Sequence, residues 1–268
     1  MGQKIPTRTT RRRFLGGVGA GLAATLAGSV PAAAEPGLLG VPRGRTCGSP
    51  TDADSLELRD AERSTSEYAW SEPKPGRTKF EVVVYQTSAV AETAAEQGVP
   101  ESMPIDLVRM HLELAEPYAF RTRRGGTLEY EEPGGMHETW DDLYEQGVQD
   151  VDADGVLVLT GDVDPELAGH GKQGLGVSEA GRIAELKWRR IGKAYSRGEN
   201  QLVTAMHEVG HVFGLEHDDY EFTERETSRG LEEYWATAMV RTDLVEEAYG
   251  KQAQFSTRSR GKLLARLD

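Results

Sequence analysis

Three of the chain's six histidines fall in one short stretch, His207-Glu208-Val209-Gly210-His211-Val212-Phe213-Gly214-Leu215-Glu216-His217. On a helix that turns about 100° per residue, His207 and His211 stand about 40° apart and one turn above each other, and Glu208 lies about 100° from His207. Two imidazoles so placed can grip one ion while a carboxylate flanks it. A metal that does chemistry, as Zn2+ does, usually takes three protein ligands and keeps a fourth position open. Were the helix to run on past His211, His217 would lie about 9 Å further along its axis. Gly214 permits the positive φ that ends a helix, so His217 can turn back towards the ion and complete a set of His207, His211 and His217. A helix that merely happens to be rich in histidine is the competing explanation. This spacing of three His, one Glu and one Gly arises by chance on the order of a few times in 100,000 chains of such composition, so coincidence does not compete.

The helix that must carry these groups reads from Asn200, a candidate N-cap, through an apolar stripe of Leu202, Met206, Val209 and Phe213. Upstream, Phe80 to Tyr85 is a β-branched and aromatic run that reads as a buried strand, and Gly155 to Thr160 is the clearest core strand. Ser102 is a candidate cap for a helix with Pro104 in its first turn and Ile105, Val108, Leu112 and Ala115 on one face, ended by Pro117. Ala119 to Arg124 and Thr127 to Glu131, separated by Gly125-Gly126, read as a hairpin, and His137 to Gln146 as a helix. Gly174 to Ser178 and Ile183 to Ile191 are weaker strands, and Ser256 is placed to cap a last helix with Leu263 and Leu264. The mixture predicts an α+β or α/β domain. Asp150-Val151-Asp152-Ala153-Asp154-Gly155 is similar to the start of a calcium loop, but Gly161 stands where such a loop needs a bidentate Glu, so the stretch reads as an acidic turn.

At 268 residues the chain has room for one domain with a sizeable core or two small ones. Residues 1–34 hold Lys4, Arg8, Arg11, Arg12 and Arg13 with no acidic residue, then a Gly/Ala/Leu run and Ala32-Ala33-Ala34, the order of an export signal. Thr10-Arg11-Arg12-Arg13-Phe14-Leu15 resembles the twin-arginine type, which implies an extracellular or cell-surface protein that touches a membrane only through an uncleaved signal, if at all. Residues 35–78, rich in Pro, Gly, Ser and acid, read as an exposed linker or short propeptide, which leaves 79–268 as the ordered domain. Without the five basic residues of the signal, about 26 cations face 44 acidic residues, a charge near −18. Nucleic acid is thereby disfavoured as a partner. A surplus of this size is similar to that of proteins from salt-loving organisms, the alternative being an acidic face for basic substrates. The single cysteine, Cys47, excludes an intrachain disulfide. Its setting, Arg45-Thr46-Cys47-Gly48-Ser49-Pro50, resembles over a few residues the inhibitory cysteine of matrix metalloprotease propeptides, and a plain linker thiol is the other reading.

His207, Glu208, His211, Gly214 and His217 together match HExxHxxGxxH, and the chain therefore resembles the metzincin zinc metalloproteases. That family sets a methionine turn beneath the zinc ligands, which here implies Met239, in Trp235-Ala236-Thr237-Ala238-Met239-Val240-Arg241. The resemblance implies an α+β fold with a mixed twisted sheet, an active-site helix and a C-terminal helix. It also implies a peptide or protein substrate hydrolysed by zinc-activated water, with Glu208 as general base. Asp218 is similar to the adamalysin pattern, but the disulfides of that group cannot form, and no subfamily is assigned. Val240 and Arg241 stand where some astacin-like members have a tyrosine, so no second oxyanion donor is named. Gly174 to Ser178 is a candidate for the edge strand that aligns an extended peptide. Two alternatives stay open: a gluzincin-like peptidase with Glu232 or Glu233 as third ligand, and a zinc-containing protein that binds peptides without cutting them.

Overall fold

The computed structural model describes residues 74–267 apart from 133, 165–166, 190, 192–195, 227–231 and 241–249, together with the backbone of Thr46–Cys47. The chain divides into a unit Met1–Gly40, outside the described residues, and a unit Val41–Asp268, to which all that follows refers.

Alternation along the strands sets the architecture. In β2 (Phe80–Thr87), which follows the two-residue β1 (Thr46–Cys47), Phe80, Val82 and Val84 pack into one apolar cluster and Val83 into another. A strand buried on both faces must be covered on both faces. On the first face lie α1 (Ser88–Glu96) and α2 (Met103–Ala115), which contributes Ile105, Leu107, Val108 and Leu112. On the second lies α3 (Met136–Glu145), with Met136, Trp140 and Leu143. The strand β3 (Phe120–Leu128) precedes α3, and β4 (Gly155–Thr160), β5 (Leu167–Lys172) and β6 (Leu175–Glu179) follow it. The sheet order is β1-β5-β6-β4-β2-β3. β2 pairs in parallel with β3 and β4, β4 in parallel with β6, β5 antiparallel with β6, and β1 in parallel with β5. The fold is thus a mixed α+β arrangement around a mostly parallel sheet.

Beyond the sheet come α4 (Arg197–Val212), a small sheet of β7 (Phe222–Glu226), β8 (Glu232–Ala236) and β9 (Gly250–Lys251), and α5 (Thr257–Leu264). Ser256 caps α5, its Oγ accepting from the Ser259 N–H at 2.9 Å. Buried Glu116 then anchors the segment to the end of α2, accepting from the Phe255 N–H at 2.9 Å and from Arg260 Nε and Nη2 at 2.7 and 2.9 Å. Among the described residues no helix is long and apolar enough to cross a membrane.

Four sequence expectations are corrected. The hairpin at Gly125-Gly126 is instead one strand, β3, bulged where its register against β2 shifts between Val84 and Tyr85. A side chain at Gly125 would strike the Tyr85 ring at 2.5 Å, and Gly126 has φ +110°, so the two glycines serve a bulge rather than a turn. Among the described residues Ile183 to Ile191 holds no strand: Ile183–Leu186 is a 3-10 turn, followed by left-handed Lys187 and Trp188. The helix that carries the histidines is capped by Ser196 and not Asn200, because the Ser196 Oγ accepts from the Glu199 N–H at 3.2 Å from an extended backbone. The stretch Gly174 to Ser178 lies inside the sheet, paired on both sides, so β6 is no edge. The acidic turn is a clamp for the chain's entry into the fold: Asp154 accepts from the N–H groups of Lys74 and Glu81 and pairs with Arg77 at 2.9 Å.

Candidate metal centre

Helix α4 is fixed by its apolar stripe: Leu202, Met206, Val209 and Phe213 are all fully buried. It ends in a Schellman turn, in which the Gly214 N–H donates to the His211 carbonyl and the Leu215 N–H to the Gly210 carbonyl, both at 2.9 Å, with Gly214 at φ +69°. The reversal carries the chain through Glu216 into a second 3-10 turn, His217–Asp219. Here the three imidazoles meet. The Nε2 of His211 lies 3.0 Å from that of His207 and 3.1 Å from that of His217, and the His207–His217 separation is 3.2 Å.

The ring tautomers follow from the outer nitrogens. The His207 Nδ1 is 2.6 Å from the Ala238 carbonyl and the His211 Nδ1 is 2.8 Å from the Leu215 carbonyl. A carbonyl only accepts, so both Nδ1 atoms donate and both Nε2 atoms keep a lone pair for a metal. Burial, then the neighbouring imidazoles, push the His207 pKa well below its ordinary value, and burial and His217 push His211 down to about 3. The rings are therefore neutral at neutral pH. Nitrogens about 2.0–2.1 Å from a tetrahedral zinc stand roughly 3.3 Å apart, so the triangle fits such an ion. Among the described residues this is the one group of three or more potential ligand side chains close enough to hold a metal.

The remaining groups surround the triad. Glu208 is fully buried, and its carboxylate lies between Gly169 and Gly171 of β5. A Cβ built on Gly169 would stand 2.5 Å from Glu208 Oε1, and one on Gly171 2.6 Å from the Glu208 carbonyl, 3.1 Å from the His211 Cβ and 3.2 Å from Glu208 Oε2, so this strand admits the carboxylate and the backbone of α4 because it lacks side chains there. Met239 is fully buried with its sulfur against Gly210, on the turn of α4 between the two helical histidines, and the neighbouring Ala238 supplies the carbonyl for His207. Asp218, next to His217, is exposed on the surface. The side chains of Glu232 and Glu233 lie outside the described residues, as does Arg241. A separate cleft of about 730 Å³, lined by Arg77, Lys79, Glu113 and Arg121 among others, has none of the three histidines in its wall.

Sequence reasoning missed Gly169 and Gly171, which give no periodic signal, and Ser196, hidden behind a poorly apolar approach. It also missed that β5 reaches the Glu208 carboxylate, while Gly176 of β6 lies against the Glu208 Cβ. The outer edge of β5 carries β1, in parallel, with Cys47 opposite Gly169.

No family model matches this chain, and no curated protein matches it in sequence. Solved structures do. A chain in a chaperone-substrate complex is 16% identical with a TM-score of 0.37, over 61% of this chain and 28% of that one. A zinc-dependent peptidase from Methanocorpusculum labreanum (strain Z) is 15% identical with a TM-score of 0.37, over 68% of this chain and 99% of that one. Likenesses of this size leave what either protein binds or cleaves with that protein.

Proposed function

We propose that this chain is an exported zinc-dependent endopeptidase of metzincin type. The observation that carries the proposal is the closure of His217 onto His207 and His211, three Nε2 atoms within 3.0 to 3.2 Å, beside a buried Glu208 on the same helix. Zinc held there would supply a water of pKa roughly 7 and polarise the scissile carbonyl. Glu208 would take the proton of the attacking water on Oε1 or Oε2 and pass it to the leaving amine. Gly169 and Gly171 fix where the carboxylate stands, and Met239 supports α4 from below. A ligand set completed by Glu232 or Glu233 would leave the approach of His217 without a role. A peptide-binding protein that does not cut would have no use for Glu208.

An extended peptide would pair backbone to backbone along the outer edge of β5. Because Thr46–Cys47 occupies that edge, residues 35–78 read better as a short propeptide than as a linker alone. Residues 1–34, outside the described residues, would direct the chain out of the cell by a twin-arginine route. Neither nucleic acid nor a membrane is a partner in this reading.

Casein and a peptide library provide the test, with and without chelator. Glu208→Ala keeps zinc and loses hydrolysis, and His217→Ala loses zinc affinity. A chain that begins at Lys74 cuts faster than one that retains residues 35–73. Undiminished cleavage by Glu208→Ala excludes the mechanism, and full zinc affinity in His217→Ala favours the gluzincin-like set. Equal rates from the two chain lengths remove the propeptide, and cytoplasmic retention unchanged by Arg12→Lys with Arg13→Lys removes the export signal.

A further inference from the structure

The three histidines are not held alike. His207 and His211 ride on a buried helix, whereas His217 stands beyond the Schellman turn on a three-residue 3-10 turn. What fixes that turn is Asp219, which is fully buried. Its Oδ2 accepts from the Glu216 N–H at 2.8 Å while its own N–H donates to the Glu216 carbonyl at 3.0 Å, a reciprocal closure around His217.

The other half of Asp219 is held by α5. Lys262 Nζ lies 2.5 Å from Asp219 Oδ1, with Arg258 Nε at 3.5 Å. The Asp219 carbonyl accepts from Ser256 Oγ at 2.6 Å and from Ser259 Oγ at 2.7 Å, so the residues that cap α5 also grip the turn. At the near end of the same segment, Arg266 donates to the Gly214 carbonyl at 3.3 Å. The stretch from Gly214 to Asp219 is thereby tied at one end to the C-terminal helix and at the other to the turn that follows it. α5 is in turn bolted to α2 through Glu116 and Arg260.

We propose that Asp219 is a positioning residue for His217, and that α5 acts through it as a clamp that sets how tightly the third ligand closes on the metal. The proposal rests on the reading of the triad as a metal centre. Ligand-orienting partners outside the ligand set commonly govern metal affinity by about 10–100-fold. On removal of the Asp219 charge the Lys262 side chain, 35% exposed, can take up water, and half-buried Arg266, which Asp219 also faces, keeps Glu216 as an opposing charge. Asp219→Asn therefore folds, and because Asn keeps an acceptor for the Glu216 N–H it retains part of the closure.

Zinc affinity by chelator competition and the visible spectrum of the Co2+-loaded protein separate positioning from general stability. The set is wild type, Asp219→Asn, Asp219→Ala, Lys262→Met and His217→Ala, with Leu143→Ala in α3 as a fold-destabilised control. Asp219→Ala is expected to weaken zinc by about tenfold or more and to change the Co2+ bands in the direction that His217→Ala does. Asp219→Asn and Lys262→Met fall between it and wild type, and stand in for it should it not fold. Leu143→Ala lowers the melting temperature and moves neither readout. Wild-type zinc affinity and spectra in the Asp219 and Lys262 variants overturn the clamp, as does an equal loss of zinc in Leu143→Ala. Full zinc affinity in His217→Ala overturns the metal-centre reading itself, which is a separate failure.

Discussion

Gly169 and Gly171 bracket the Glu208 carboxylate, and a methyl group at Gly169 would have to share space with Oε1. Backbone on one side and a buried helix on the other leave the carboxylate as the part that gives way. In Gly169→Ala the Glu208 carboxylate, the proposed base, moves while the three imidazoles, held on other elements, stay. The expected result is a fall in kcat of about 100-fold, the order that a 1 Å misplacement costs, with zinc content unchanged. A variant that loses zinc in proportion to activity would show that β5 supports the ligands and not the base. The meeting of His207, His211 and His217 was legible in the sequence because helical pitch and one glycine determine it, and both are local. The role of Gly169 was not, since it depends on a helix that arrives about forty residues later and lies across the strand.

The same separation governs the elements. β2 and β4 announced themselves as apolar runs, α2 by its apolar face, although Ser102 makes no cap bond there, and α5 by its Ser256 cap, whereas Leu167-Ala168-Gly169-His170-Gly171-Lys172 has only Leu167 and Ala168 as apolar side chains and gave no reason to expect a strand. β3 looked like a hairpin because paired glycines commonly make turns, while its true partner in a parallel sheet is some forty residues away. β5 nevertheless carries a testable electrostatic signature on the face opposite Glu208. His170 there is buried beside His137, with ring centroids 4.6 Å apart, and Lys172 lies over Trp140. Burial, then His137 and Lys172, lowers its pKa from 6.5 to about 4. The folded protein thus holds His170 neutral where the unfolded chain would protonate it. The stabilisation is complete above pH 6.5 and is lost as pH falls towards 4, by up to about 3 kcal/mol. Chemical unfolding between pH 7 and 4.5 should show a steeper loss in wild type than in His170→Gln at equal metal loading. Parallel profiles would mean that His170 protonates in place and β5 tolerates the charge.

For the whole molecule, the charge sum was legible at once because it needs no fold, but its consequence depends on how the cations are spent. With 44 acidic residues against 31 basic ones, many of the described cations are committed to particular carboxylates: Arg77 to Asp154 at 2.9 Å, Arg124 to Asp106 at 2.5 Å, Arg260 to Glu116 at 2.7 Å and Lys262 to Asp219 at 2.5 Å. Such pairing leaves the surplus carboxylates to face one another across the surface. Added salt acts on the two populations differently. Partly buried pairs are screened little, and exposed pairs contribute at most about 1 kcal/mol each, whereas long-range repulsion is cut steeply as the Debye length falls from about 10 Å at 0.1 M to about 3 Å at 1 M. The melting temperature should therefore rise from low to molar KCl at pH 7. The origin of the rise can be checked by repeating the series at about pH 4.3, where half of ordinary glutamates are protonated and there is less repulsion left to relieve. The rise should then shrink. A rise of equal size at both pH values would point to a general salting-out of apolar surface. No rise at either would mean that the surplus carboxylates are spaced widely enough to ignore one another, which would leave an acidic face for basic substrates as the better account of the composition.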